Sequence, residues 1–152
     1  MQIILVLHSL LRWAVVLLGV WAIFNALTGI LSKRNYTAAD NRTGLLLMIS
    51  CDVQLLIGLI LYFSNGWFDQ LKNFGQIKSD AYQRFFAMEH ALMMLIAWVL
   101  VHVARSVVKR TDDDKAKHRK SLIFFGLAFV IIFAAVPWPF RENLHRTWLS
   151  WF

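Results

Sequence analysis

The sequence holds one cysteine, Cys51, and two prolines in 152 residues. A single thiol inside an apolar run excludes a disulfide framework and a thiolate cluster for zinc or iron–sulfur. Charge is scarce as well. Asp, Glu, Lys and Arg together make up 16% of the chain, against about a quarter in an ordinary soluble domain. No nucleotide-binding motif, catalytic-triad pattern, internal repeat or low-complexity segment is present. Hydrophobic residues fill the space: 59% of the chain, 14% aromatic, with mean hydropathy +0.54, where soluble domains run near 45–50% apolar. The composition is that of a polytopic membrane protein. The net charge of +7 lies between the apolar runs, where basic residues set topology and attract anionic lipid, so the bilayer and not nucleic acid is the expected partner.

Four apolar runs predict an all-α, up-down four-helix membrane bundle in a single domain, with spans at about 3–31, 44–64, 85–103 and 120–136. Each approaches the roughly 20 residues that cross a bilayer core of about 30 Å. The first run is read as a retained helix and not a secretory signal, because no basic region precedes it and no small-residue cleavage site follows. Thr37 with Asp40, and Thr111 with Asp114, have the spacing of capping boxes. Residues 67–82 bring Trp67, Phe68, Leu71, Phe74 and Ile77 back at three- and four-residue intervals, as an interfacial segment does. Pro137-Trp138-Pro139 ends the fourth helix. After it, Phe140, Leu144, Trp148 and Trp151 predict a second interfacial segment over 140–152, with tryptophans at headgroup level.

Lysine and arginine set the expected orientation. Connections 33–43 and 105–120 carry three and seven, while connection 65–84 and the tail carry three and two. The excess places the first pair in the cytoplasm and both termini outside.

Ionisable residues within spans mark functional sites by default, since each costs about 2.5–3.5 kcal/mol on insertion scales. Counting at 1.5 Å per residue, His8 in span one and His90 in span three each lie roughly 9 Å below the outer surface. Two histidines level on different helices can ligate a haem iron from opposite sides, and a neighbouring arginine suits a propionate. Arg12 lies one turn below His8, and Glu89 is near it in depth, so an Arg12–Glu89 ion pair is expected, with Asp52 as a second partner for Arg12. Arg84, at the outer mouth, snorkels to the headgroups or contacts a propionate. The bland alternative is that the histidines hydrogen-bond between helices and hold the bundle together. His102, twelve residues after His90, falls about 120° away around the helix and does not share its face. His118, in a run of lysines, reads as solvated, and His145 as interfacial. Met88, Met93 and Met94 read as gap-filling core in preference to a copper site.

At Leu7-His-Ser-Leu-Leu-Arg-Trp13, Asp52-Val-Gln-Leu-Leu-Ile-Gly-Leu-Ile-Leu-Tyr-Phe63, Arg84-Phe-Phe-Ala-Met-Glu-His90 and Pro137-Trp-Pro-Phe-Arg141 the chain resembles a family of short bacterial four-helix membrane proteins of cytochrome b-like type. The resemblance covers nearly the whole chain. It implies residence in the bacterial inner membrane, haem b and electron transfer with quinone and other membrane redox proteins. The four-helix b-type cytochromes place two stacked histidines on one helix, and the chain departs from that at His90 and His102. Only His8 and His90 are carried over as metal ligands.

The expectation is therefore a b-type cytochrome-like electron-transfer protein, an oxidoreductase subunit if it is an enzyme. In it His8 and His90 are axial ligands, Arg12 and Arg84 cofactor-binding, and Glu89 and Asp52 proton carriers near a quinone. Two other classes stand beside it. One is a haem-free structural subunit of a larger complex, and the other a proton or ion pathway through Asp52, Glu89 and Arg12.

Overall fold

The computed structural model describes residues 2–144 and 147–148. Its helices run in chain order α1 (Gln2–Leu31), α2 (Ala38–Ser64), α3 (Trp67–Lys72), α4 (Phe74–Ile77), α5 (Ala81–Arg84), a π-helical turn (Phe85–Glu89), α6 (His90–Lys109), α7 (Asp114–Ala135) and a 3-10 turn (Glu142–Leu144). α5, the π turn and α6 form one continuous helical stretch, Ala81–Lys109. With α1, α2 and α7 it gives four helices long and apolar enough to cross a membrane. The fold is an all-α, up-down four-helix bundle, and by length and composition the chain is a multi-pass membrane protein.

The bundle is closed by a stripe of small residues. In α1 the buried positions are Ser9, Arg12, Val15, Gly19, Ala22, Ala26 and Gly29, recurring at steps of three or four residues. α7 repeats the pattern with His118, Ser121, Phe125, Ala128, Ile132 and Ala135. A repeat of 3.5 residues keeps one seam facing its partner along the whole helix. Between lipid-solvated helices there is little hydrophobic drive to associate, so small side chains that allow close approach and dispersion contact carry the packing. Phe129 takes the place that Gly19 leaves open: a Cβ there would lie 2.7 Å from the Phe129 ring. The large apolar side chains Leu17, Trp21, Phe24, Leu56, Leu127 and Val130 point outward, as a hydrocarbon solvent permits.

Thr37 caps α2 as expected. Its hydroxyl accepts from the Asp40 backbone N–H, and the Asp40 carboxylate accepts from the Thr37 N–H, a complete capping box. Arg34 donates to both Asp40 oxygens at 2.6 and 2.7 Å, which pushes the Arg34 pKa up. Both α2 and α7 start before their apolar runs, at Ala38 and Asp114. The cap of α7 is Asp113, whose carboxylate accepts from the Ala116 N–H at 2.6 Å. The expected Thr111 cap is not used, because the Thr111 hydroxyl bonds back to the Val107 carbonyl at 2.8 Å and accepts from Lys120.

Residues 67–77 form the two short helices α3 and α4 in the connection between α2 and α5. The C-terminal segment departs from the expected interfacial helix. After Pro137 the chain turns back: Trp138 Nε1 donates to the Phe133 carbonyl at 2.7 Å, and Arg141 donates to the Ala134 carbonyl at 3.0 Å. These are the carbonyls a helix end leaves without partners. Leu144 is fully buried while Phe140 and Trp148 are exposed, so they do not share one side. His145 and Trp151 lie outside the described residues.

Candidate functional site

The end of the bundle that carries the α2–α6 connection brings His8 and His90 together. Their ring centroids stand 6.4 Å apart with planes at 71°. α1 supplies His8 one turn above the buried Arg12, and the π turn delivers His90 at the head of α6. π turns insert an extra residue in a helix and recur at functional sites. Neighbouring helices fix both rings. Gln54 Nε2 of α2 donates to the His8 carbonyl at 2.9 Å, and the His8 ring lies against Gly58, where a Cβ would come 3.1 Å from Cε1. His8 Nδ1 is buried with no hydrogen-bond partner among the described residues. His90 Nδ1 stands 2.8 Å from the Ala135 carbonyl. A carbonyl only accepts, so in the neutral ring the proton sits on Nδ1 and the lone pair on Nε2. A backbone acceptor on the far nitrogen is the usual way a ligating histidine is oriented.

Beside the pair lies a cavity of about 500 Å³ lined by His8, Arg12, Cys51, Gly58, His90 and Trp98 among others. Its wall also includes Leu59, Phe63, Leu92 and Leu95, all of which face outward, so the cavity opens between α2 and α6 toward the bilayer.

Arg12 is buried, 8% exposed. It donates to the Trp148 carbonyl and weakly to Ser9 Oγ, and its guanidinium lies 5.7 Å from both the Trp13 and Trp138 rings. Neither expected carboxylate reaches it. Glu89 pairs instead with Arg84, whose Nε stands 2.7 Å from Oε1. The π turn accounts for this, since a widened turn brings residues five apart onto one face. Arg84 also donates to the Lys78 carbonyl and is not among the cavity-lining residues. Asp52 is held by Trp98 Nε1 at 2.6 Å and His102 Nε2 at 2.7 Å. Thus Arg12, Glu89 and Asp52 each take a different partner.

The chain matches no family model, no curated protein and no solved structure.

Among the described residues no three of His, Cys, Asp or Glu stand close enough to hold a metal ion. Ring centres about 6 Å apart would leave room for both imidazoles to hold one metal at bonds of about 2 Å. His102 stays away from His90 as helical phase requires. His118 departs from its expected solvated position: it is fully buried at the other end of the bundle. Of the residues around the site, Trp98, Gln54 and Tyr62, whose hydroxyl donates to the Ala87 carbonyl at 2.7 Å, were not marked as partners by the sequence. Gly58 carried a signal, because a glycine inside an apolar span marks a close approach.

Proposed function

We propose that the chain is a b-type cytochrome-like electron-transfer protein of the bacterial inner membrane, binding one haem b between His8 and His90 at the outer end of the bundle. The observation that carries this reading is the separation of the two rings, at which His8 and His90 would together hold a single iron. Three further features support it. The cavity volume falls in the range of small-molecule and cofactor sites, about 300–1,000 Å³. His90 Nδ1 has the backbone acceptor that orients a ligating ring. Arg12 is a buried cation at the cavity wall with no carboxylate partner among the described residues, and a buried charge calls for an opposite one; a propionate supplies it.

Haem when bound supplies a one-electron carrier. The chain's own side chains hold and orient it: His8 and His90 by ligation, Arg12 by charge, and Gly58 by leaving room for the His8 ring. Arg84 is engaged by Glu89 and acts on the site only by fixing the π turn. Asp52 and His102 form the proton-carrying pair of this reading. Both are about a third exposed, within reach of a lipid-soluble quinone, and they are coupled to the cavity through Trp98. Both termini face the outside.

Haem titration into the purified protein in detergent tests the proposal. One equivalent per chain is expected, with His8→Ala and His90→Ala each failing to form the six-coordinate spectrum and His102→Ala retaining it. Binding that survives both histidine substitutions refutes it.

A further inference from the structure

The end of the bundle opposite His8 and His90 contains a second polar site. From His8 to Gly29 along α1 is roughly 30 Å at 1.5 Å per residue, so this site is independent of the first. Here Asn25 and Ala26 of α1, Tyr36 of the connection, Asp40 of α2, and His118 and Ser121 of α7 surround a cavity of about 10 Å³. His118 is 0% exposed, and neither of its ring nitrogens has a hydrogen-bond partner among the described residues. The ring is seated on the bare backbone of Gly29, where a Cβ would fall 2.2 Å from Cε1, and 5.1 Å from the Tyr36 ring, centre to centre.

We propose that this cage binds one structural water molecule, held by a His118 ring nitrogen and the Ser121 hydroxyl. Buried polar groups are almost always satisfied, and an imidazole with both nitrogens idle is a costly arrangement that a water relieves. The volume is that of a single water, for which about 10–15 Å³ suffices, and the walls are polar enough to hold one. The wall offers a cation no unpaired carboxylate. The one carboxylate in the wall, Asp40, is already neutralised by the two hydrogen bonds from Arg34 at 2.6 and 2.7 Å. The remaining polar groups, Asn25, Tyr36, Ser121 and the His118 ring, supply hydrogen-bond donors and acceptors. The water therefore joins α1, the α1–α2 connection and α7.

Nuclear magnetic resonance of the full-length protein in detergent, with ¹⁵N-labelled histidine assigned through the backbone, tests the proposal. Cross-relaxation between the His118 ring hydrogens and a long-lived water is expected in the wild type and is lost in Ser121→Val, whose methyl groups fill the cage. A wild type without that cross-peak overturns the proposal, as does a direct hydrogen-bond coupling from His118 to the Tyr36 hydroxyl or a cross-peak that persists in Ser121→Val. Should Ser121→Val not fold, the wild-type spectrum alone decides.

Discussion

His102 Nε2 stands 2.7 Å from Asp52 Oδ1 and fastens α6 to α2, and Trp98 on the same face of α6 donates to that oxygen at 2.6 Å. One carboxylate thus collects two donors one helical turn apart, which holds α2 and α6 in register beside the cavity mouth. Interhelical hydrogen bonds in membranes contribute about 0.6 kcal/mol on average and up to roughly 1.7. A double-mutant cycle of Asp52→Asn and His102→Gln, read by unfolding in detergent or bicelles, is expected to show coupling of about 1 kcal/mol. Strict additivity would mean the pair contributes nothing to stability.

The Arg84–Glu89 pair is about a third exposed and lies within one helical stretch, and its expected coupling is about 0.5 kcal/mol. Glu89→Gln and Arg84→Gln should be non-additive in the same unfolding assay. Glu89→Gln and Arg12→Gln should add, because Arg12 bonds to Trp148 and stacks on two tryptophans and does not touch Glu89. Coupling between Arg12 and Glu89 would show that the π turn is misplaced.

Those two pairs mark where the sequence stopped being legible. Four spans, the Thr37 capping box and the matched depth of His8 and His90 all follow from residue types and spacing along one helix. Ion-pair partners do not, because depth ignores how each helix is rotated about its axis. Glu89 was matched to Arg12 by depth, whereas a local π turn, which no periodicity in Phe85–Glu89 announces, carries it to Arg84. His118 was misplaced for a related reason. A histidine amid lysines looks solvated until Gly29, on another helix, is seen to leave a seat for it. The two-proline break after Val136 was plain, but not that Trp138 and Arg141 would fold the chain back onto the helix end.

Glycine substitutions separate packing from propensity. Gly29→Ala is expected to cost about 1–3 kcal/mol, because its methyl group collides with the His118 ring and the core must give way. Gly126→Ala, where nothing lies within 4 Å of the added Cβ, is expected to stabilise α7 by up to about 1 kcal/mol through helix propensity alone. Thermal unfolding of both proteins in one detergent measures the contrast, and a Gly29→Ala protein as stable as the wild type would contradict the close approach of α1 and α7.

Orientation is open to chemical labelling. With both termini outside, a cysteine placed at Lys115 in a Cys51→Ala background should resist an impermeant thiol reagent in intact cells and react after the membrane is opened. Labelling in intact cells would invert the topology and move the His8–His90 site to the cytoplasmic side.

The proposed ligation of one iron by both His8 and His90 is tested most directly by low-temperature electron paramagnetic resonance of the ferric, haem-loaded protein. Two imidazoles produce a low-spin centre, and planes as far from parallel as 71° make its signal strongly anisotropic, so a low-spin spectrum with a large leading g value is the expected result. A high-spin spectrum would mean that only one of the two histidines binds, and a protein that takes up no iron porphyrin at all would contradict the account.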